Sequence, residues 1–256
     1  MNLYFDPALA AQYRSASQKV RVLSESWVKR EAYCPACGFA ISKYENNRPA
    51  ADFFCPSCKE KYELKSKRGN IGSKIVDGSY DALIERLQSN TNPNLFLLNY
   101  NPLNWEILNF IVVPKFFFVP VIIEKRHSLT LNARRAGWVG CNIILQDVPQ
   151  DGRIFYVENR EIAPKEMVLQ RWRKTLFLSK EKKLSTRGWI LDIMNCIDKL
   201  NKREFTLTEM YFFESYLKDR HPRNRHIKEK IRQQLQLLRN NGYLEFINNK
   251  GGYRLT

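Results

Sequence analysis

The apolar positions along the chain follow two kinds of pattern: short apolar runs, which are typical of buried strands, and the spacing of an amphipathic helix. Two apolar runs, LFLLNY at 95–100 and WEILNFIVVP at 105–114, predict buried strands, and NPLN predicts the turn between them. A shorter strand is predicted in GRIFYVEN, residues 152–159. Helical spacing predicts helices in the stretches at 6–33, 79–88 and 164–178, and Asp6 followed by Pro7 is typical of a helix start. Strands mixed with helices around one sheet predict an α/β (α+β) fold.

A second strand pattern lies between the first helices and these runs. In KYELKSK the Tyr-x-Leu alternation predicts a half-buried strand, so Glu63 and Lys65 project from one face while Leu64 faces the core. Asp52 begins DFF, which predicts another strand, and the residues between the two strands form a turn. Asp52 is therefore expected beside Glu63. The segment KRGNIGSKIVDGS that follows is interpreted as a glycine-rich basic loop.

The C-terminal third has the pattern of a winged helix-turn-helix. GWILDIMNCIDKL predicts a first helix, and Thr206 with Glu209 three residues later forms a capping box that opens a second helix through YFFESYL. A third helix is predicted from about Asn224 to Asn241, ended by Gly242. YLEFINNKGGYRL then predicts a hairpin with a glycine-rich turn. The apolar positions of the first and third helices are Ile190, Ile193, Met194, Ile197, Ile227, Ile231, Leu235 and Leu238. With SKEKKLSTRG as linker, residues 1–179 and 180–256 are predicted to form two domains.

Charge indicates a polyanionic partner. The formal net charge is +16 over 256 residues, and half of the excess lies in residues 180–256, which carry 17 Lys and Arg against 9 Asp and Glu. This excess favours nucleic acid over a membrane surface as the partner. The beginning of the sequence shows no signal-peptide pattern and the apolar runs are too short to span a bilayer, so we expect a cytoplasmic protein with reduced thiols.

Four cysteines have the spacing of a zinc site. Cys34 and Cys37 form CPAC, and Cys55 and Cys58 form CPSC, with seventeen residues between the two pairs. Two such knuckles supply the four thiolates of a tetrahedral Zn²⁺ site, which leaves no coordination position open, so we expect the zinc to be structural. The alternatives are disulfides or a redox-active pair. The remaining Cys141 and Cys196 are expected to be buried apolar residues.

Asp52, Glu63 and Lys65 have the order of an Asp-x(n)-Glu-x-Lys nuclease site. Two carboxylates suit a hard divalent cation such as Mg²⁺, and a lysine suits an attacking water or the charge of a pentavalent phosphate. The alternative is a surface ion-pair set on a hairpin. Another Glu-x-Lys triplet, Glu181-Lys182-Lys183, lacks an upstream Asp on a strand and is not favoured.

Two segments are candidates for DNA contacts. LNARRAGWVGCNI offers Arg134, Arg135 and Trp138 in a loop; the alternative is a packed Trp with solvated arginines. The predicted third helix offers residues outside its apolar positions; the alternative is a solvated helix face. These residues are Arg223, Asn224, Arg225, Lys228, Arg232 and Gln233.

The segments CPAC, ENNRPAADFFCPSC, YELKSK, ARRAGWVGCNI and HIKEKIRQQLQLLRNNG closely resemble the DpnI family of methyl-directed restriction endonucleases, in the same order over essentially the whole chain. The resemblance implies a restriction-endonuclease-like PD-(D/E)xK core with a zinc-stabilised hairpin and a C-terminal winged helix. It implies Mg²⁺-dependent cleavage of duplex DNA at GATC sites carrying N6-methyladenine, which would restrict methylated foreign DNA.

The resemblance also implies roles for particular residues. Asp52, Glu63 and the backbone carbonyl of Leu64 take the magnesium positions, and Lys65 is the catalytic lysine. The family's usual Pro before the catalytic Asp is Ala51 here, a position that supplies no ligand.

We expect a monomer in solution. The alternatives are a zinc-containing winged-helix regulator without catalysis, and a PD-(D/E)xK nuclease of other specificity.

Overall fold

A computed structural model describes residues 1–45, 51–248 and 251–256. Part of ENNRPAAD, at 46–50, and part of the glycine-rich turn expected from the sequence, at 249–250, lie outside the described residues. The α-helices are α1 (Ala16–Glu31), α2 (Tyr80–Gln88), α3 (Lys165–Thr175), α4 (Phe177–Lys180), α5 (Leu184–Leu200), α6 (Leu207–Tyr211), α7 (Glu214–Arg220) and α8 (Ile227–Asn240). The strands are β1 (Ser42–Lys43), β2 (Phe53–Phe54), β3 (Lys61–Arg68), β4 (Lys74–Ser79), β5 (Asn94–Tyr100), β6 (Ile107–Val113), β7 (Ile123–Ser128), β8 (Val139–Ile144), β9 (Ile154–Glu158), β10 (Glu161–Ile162), β11 (Glu204–Thr206), β12 (Leu244–Asn248) and β13 (Gly252–Leu255).

Within the described ranges, the largest sheet has seven strands in the order β1-β2-β3-β5-β6-β9-β10. β3 and β5 are parallel and the other neighbouring pairs are antiparallel. All seven residues of β5 are buried, as the uninterrupted run LFLLNY predicts for a strand covered on both faces. The α2 helix precedes β5 in the chain, and β5 runs parallel to β3. β3 is an internal strand of the sheet because it pairs with β2 on one side and with β5 on the other. Mixed α/β architecture is confirmed.

A separate three-stranded sheet, in the order β4-β8-β7, was not predicted. β4 lies in the segment interpreted as a glycine-rich basic loop, and β8 includes the end of the segment that carries Trp138, so the loop interpretation of 67–79 is wrong. In β4 the side chains of Ile75 and Asp77 are buried while those of Lys74 and Val76 are exposed. This is the period-2 pattern of a strand, hidden in the sequence because one of its inward positions is an aspartate.

The C-terminal part is a winged helix-turn-helix. Thr206 and Glu209 form the predicted capping box at α6, and β12 and β13 form the wing, joined by β11 in a third sheet. The apolar positions predicted for α5 and α8 are buried, and Gly242 has φ +70° just after α8. Three details differ from the prediction. The linker shrinks to residues 181–183, the second helix breaks between Tyr211 and Glu214, and α8 begins at Ile227.

The two parts of the chain share one hydrophobic cluster, which runs from Ile75 and Phe117 to Leu235 and Tyr253. Polar contacts reinforce it: the Arg220 guanidinium lies 3.0 Å from Asp147 and 2.8 Å from Asp192. The backbone N–H of Gln150 donates to Asp198 at 2.7 Å, and Asn195 donates to the carbonyl of Asp147 at 2.7 Å. α5 is therefore packed against the larger part of the chain, although it begins the helix-turn-helix.

Candidate functional site

The hairpin of β2 and β3 positions Asp52 beside the Glu-Leu-Lys segment. Phe53 pairs with Tyr62 across the hairpin, and the backbone N–H of Asp52 donates to the carbonyl of Tyr62 at 2.9 Å. The Asp52 carboxylate in turn accepts a hydrogen bond from the backbone N–H of Leu64 at 2.7 Å. Backbone pairing on one side and a side-chain hydrogen bond on the other fix the Asp52 carboxylate beside the backbone of Leu64, the residue next to Glu63.

Glu63 and Lys65 project from the same face of β3. The Lys65 ammonium lies 2.6 Å from a Glu63 oxygen and also 2.6 Å from an Asp77 oxygen. Asp77 belongs to β4 in the small sheet, and its side chain is only 4% exposed. The structure thus brings together the Lys65 ammonium and two carboxylates, Glu63 from the large sheet and Asp77 from the small sheet.

Burial dominates the electrostatics of these groups. It raises the pKa of Asp52, and the nearby charge of Glu25 raises it further. Burial also raises the pKa of Glu63, to which Asp77 adds while Lys65 opposes it. For Lys65, burial alone would lower the pKa, but Glu63 and Asp77 together raise it above the ordinary lysine value. Two carboxylates whose charge is disfavoured by burial are the kind of donors that gain from a bound cation.

Further charged residues surround the site. Glu25 on α1 is buried and forms ion pairs with Arg21 at 2.7 Å and Lys43 at 2.6 Å. The Arg86 guanidinium on α2 lies 4.0 Å from Glu63. No sequence motif predicted a role for these residues or for Asp77. A signal was present for Asp77 in the alternation of KIVD, where an aspartate takes a core-facing strand position.

The four cysteines of CPAC and CPSC come together. Their Sγ atoms lie within 4.8 Å of one another, which fits a tetrahedral Zn²⁺ site. Hydrogen bonds from the Phe39 backbone and neighbouring thiols outweigh burial and lower the pKa of Cys37 to about 7, favouring the thiolate that binds metal. The buried hydroxyl of Tyr62 lies 3.1 Å from the Cys34 sulfur. Cys141 and Cys196 are buried away from this cluster, as predicted.

The loop that precedes β8 presents the predicted Arg-Arg-x-x-Trp segment. Arg134 and Arg135 are exposed, and Trp138 is half-buried. The indole ring of Trp138 lies against Gly140, where an added Cβ would come within 2.8 Å of the ring. A glycine is therefore required for this ring position, whichever role the indole has.

The candidates near α8 fall into two groups. Arg223, Asn224 and Arg225 precede the helix, which corrects the expectation that they lie on it, and they line a cavity of about 620 Å³ with Trp189 and His221. Lys228, Arg232 and Gln233 lie on α8 and are exposed. Their present partners belong to the protein: Lys228 contacts Glu214 at 3.4 Å, Arg232 contacts Glu229 at 3.5 Å, and Gln233 accepts from Lys230 at 2.7 Å.

The second Glu-x-Lys triplet has a different setting. Glu181, Lys182 and Lys183 lie between α4 and α5, and the Glu181 carboxylate accepts from the backbone N–H of Lys183 at 3.0 Å. The triplet does not lie on a strand and serves as part of a helix start.

Comparison with protein families gives two consecutive matches along the chain. A model of the family DpnI, described as the Dam-replacing family, matches residues 1–181. A second model, described as the Dam-replacing HTH domain, matches residues 185–255. Helices of the length and apolar character needed to cross a bilayer are absent from the ranges that the structure describes.

Proposed function

Since this chain belongs to the DpnI, Dam-replacing family, we propose that it is an endonuclease that cuts duplex DNA at GATC sites carrying N6-methyladenine. The observation that carries the proposal is the lysine ammonium 2.6 Å from the carboxylate of Glu63, two residues before it on one strand and one hairpin from Asp52. A nuclease site needs this combination of acids and an amine on a rigid support.

Asp52 and Glu63 would hold Mg²⁺, with the backbone carbonyl of Leu64 as a third ligand. The fit rests on the donor set: two partly buried carboxylates offer the hard oxygen ligands that this ion prefers, and their ionised forms lack full solvation. The ion, when bound, supplies charge stabilisation to the scissile phosphate and lowers the pKa of a bound water.

Lys65 would act on the same phosphate. Its ammonium is charged, partly buried and held by carboxylates, so it is placed to hydrogen-bond an attacking water or the developing negative charge on phosphorus-bound oxygens. Because its position is fixed before the substrate arrives, little reorganisation is needed during the reaction.

The four cysteines would bind structural zinc and brace the hairpin that carries Asp52. Cys55 and Cys58 directly follow β2, and the backbone N–H of Cys55 donates to the carbonyl of Glu60 at 2.8 Å. A metal that closes this turn fixes the register of β2 on β3, and with it the distance between Asp52 and Glu63.

DNA would be read by both parts of the chain. The helix-turn-helix supports DNA binding, with Arg223, Asn224, Arg225, Lys228, Arg232 and Gln233 as candidate contacts. Arg134, Arg135 and Trp138 would contact the duplex from the larger part. One methyl group in an apolar pocket contributes only about 1 kcal/mol. Strong preference for methylated DNA therefore requires that the modification be read more than once.

The chain would act as a monomer in the cytoplasm, where it would restrict methylated foreign DNA. A monomer with one set of catalytic residues must act twice to cut both strands, by rebinding or by transient pairing.

One experiment tests the proposal against its rivals. The purified protein is incubated with Mg²⁺ and plasmid from a host that methylates adenine in GATC and from one that does not, beside an Asp52→Asn variant. We expect cutting of the methylated plasmid alone, abolished by the substitution. Cutting of both plasmids would indicate a nuclease of other specificity, and cutting of neither would favour a winged-helix regulator.

A further inference from the structure

We propose that Asp77 is a positioning residue that holds the Lys65 ammonium in place when Glu63 engages a cation. The inference rests on the proposed function and extends it to a residue outside the Asp-x(n)-Glu-x-Lys pattern. Its basis is the position of one ammonium 2.6 Å from each of two carboxylates that come from different sheets.

The first step is the placement of Asp77. β4 pairs antiparallel with β8, where Asp77 lies opposite Cys141, and the register shifts just after Asp77. The inward row of β4 consists of Ile75 and Asp77, so a carboxylate occupies a position that otherwise takes an apolar side chain. An ionised carboxylate that is 4% exposed is stable only with a close partner, and Lys65 provides one.

The second step is the competition for Lys65. In the present arrangement the ammonium bridges Glu63 and Asp77, using two of its three N–H donors. A divalent cation on Glu63 would repel the ammonium and occupy the lone pairs that Lys65 now uses. Without a second anchor, the flexible lysine stem would move away from the reacting phosphate.

The third step is charge. Asp52, Glu63 and Asp77 carry three negative charges, and Lys65 carries one positive charge. The net charge of these four side chains is therefore −2 when all are ionised, and the excess stays negative when the Arg86 guanidinium, 4.0 Å from Glu63, is added. Loss of Asp77 would leave the lysine to neutralise Glu63 itself, so the cation and Lys65 would compete for the same carboxylate.

The test is a set of variants assayed in single-turnover cleavage at saturating Mg²⁺. Asp77→Asn keeps the size of the side chain and removes its charge, and we expect a cleavage rate about 10- to 100-fold lower. DNA affinity should stay within about twofold, since Asp77 is buried. Asp77→Glu should recover part of the rate. Asp81→Asn, an exposed aspartate at the start of α2, is the matched control and should cut at the wild-type rate. A wild-type rate for Asp77→Asn would overturn the proposal.

The double variant separates positioning from direct metal binding. If Asp77 acts through Lys65, then Lys65→Met with Asp77→Asn should retain the residual rate of Lys65→Met alone. A further loss as large as that of Asp77→Asn in the wild-type chain would overturn the proposal, because Asp77 would then act independently of the lysine.

A second measurement does not depend on cleavage. A double-mutant cycle in urea unfolding of the metal-free protein measures the contact directly. Each single variant should raise the unfolding equilibrium constant. Because the two residues are in contact, the increase in the double variant should be at least about tenfold smaller than the product of the two single increases. Additive effects would overturn the anchoring contact. A wild-type chain that cuts no DNA would refute the proposed function, while this cycle would still decide whether Asp77 anchors Lys65.

Discussion

The backbone N–H of Leu64 donates a hydrogen bond of 2.7 Å to the carboxylate of Asp52, and this bond ties the start of β2 to the middle of β3. An asparagine at position 52 keeps an oxygen that can accept this bond but loses the negative charge. Asp52→Asn is therefore expected to remain folded and to lose at least about a hundredfold in Mg²⁺-dependent cleavage. Cleavage rates and circular dichroism check the two halves of the expectation. A folded variant that cuts at the wild-type rate would remove Asp52 from the catalytic set.

The same substitution gives a pH test. Burial raises the pKa of Asp52 in the folded protein, so its ionised form opposes folding above that pKa. The metal-free wild type should be less stable than Asp52→Asn at neutral pH. The difference should shrink as pH falls through the folded pKa and vanish below the unfolded value of about 3.9. Urea unfolding of both proteins between pH 3 and 8 measures the gap, and a gap that widens on acidification would contradict the expectation.

The hydroxyl of Tyr62 offers a test of the zinc site. Its contact with Cys34 at 3.1 Å supports one thiolate from outside the ligand set. Tyr62→Phe should weaken zinc binding by about 10- to 100-fold in competition with a chelator. Tyr156→Phe is the matched control, because this buried tyrosine donates to the carbonyl of Tyr33 at 2.7 Å and should leave zinc affinity unchanged. Equal zinc affinity in the two variants would count against the supporting bond.

Gly140 controls the position of Trp138. A Cβ at this position would lie 2.8 Å from the indole, so Gly140→Ala must displace the ring. If the ring contacts DNA, the variant should lose about 1–3 kcal/mol of binding, the range of a base–aromatic stack. Gly78→Ala, in the paired strand, meets no atom within 4 Å and serves as control. Fluorescence-anisotropy binding compares them; unchanged affinity for Gly140→Ala would indicate a purely structural Trp138.

Arg220 forms ion pairs with one carboxylate from each part of the chain, Asp147 and Asp192. Arg220→Met would leave the Asp192 carboxylate, which is 2% exposed, with His221 at 2.7 Å as its remaining partner, and should lower the free energy of unfolding by about 3 kcal/mol. Asp147→Asn removes the contact from the larger part and spares the Arg220–Asp192 pair. It should reduce the free energy of unfolding by about 1 kcal/mol, because Asp147 is partly exposed. Urea unfolding distinguishes the two, and equal losses would contradict this ranking.

Local patterns predicted the elements whose chemistry is contained in a few neighbouring residues. The capping box at Thr206 and Glu209, the buried run of β5 and the Cys-x-x-Cys pairs each carry their own structural cause. The same holds for Glu63 and Lys65, since a period of two fixes their common face.

The small sheet and Asp77 could not be predicted in this way. β4 pairs with β8, more than sixty residues away, and neither strand is apolar enough to be identified alone. The predicted start of α8 was also wrong. The backbone N–H of Asn224 donates to the carbonyl of His221, and the backbone N–H of His226 donates to the side-chain oxygen of Asn224. The turn that these bonds form holds Arg223 and Arg225 outside the helix. Long-range pairing and side-chain turns leave little trace in a single sequence.

The small sheet joins two parts of the proposed machinery in one stiff unit. β8 carries Gly140, against which the Trp138 indole lies, and the next residue, Cys141, is the register partner of Asp77. A displacement of the indole by a bound duplex would thus be transmitted from Gly140 to the adjacent Cys141, and through its strand pairing to Asp77, which contacts Lys65. Under the proposed function, contact of Trp138 with DNA and the position of Lys65 would be coupled through this sheet, so that weakening the pairing of β4 with β8 should lower the cleavage rate even when every proposed catalytic side chain is intact.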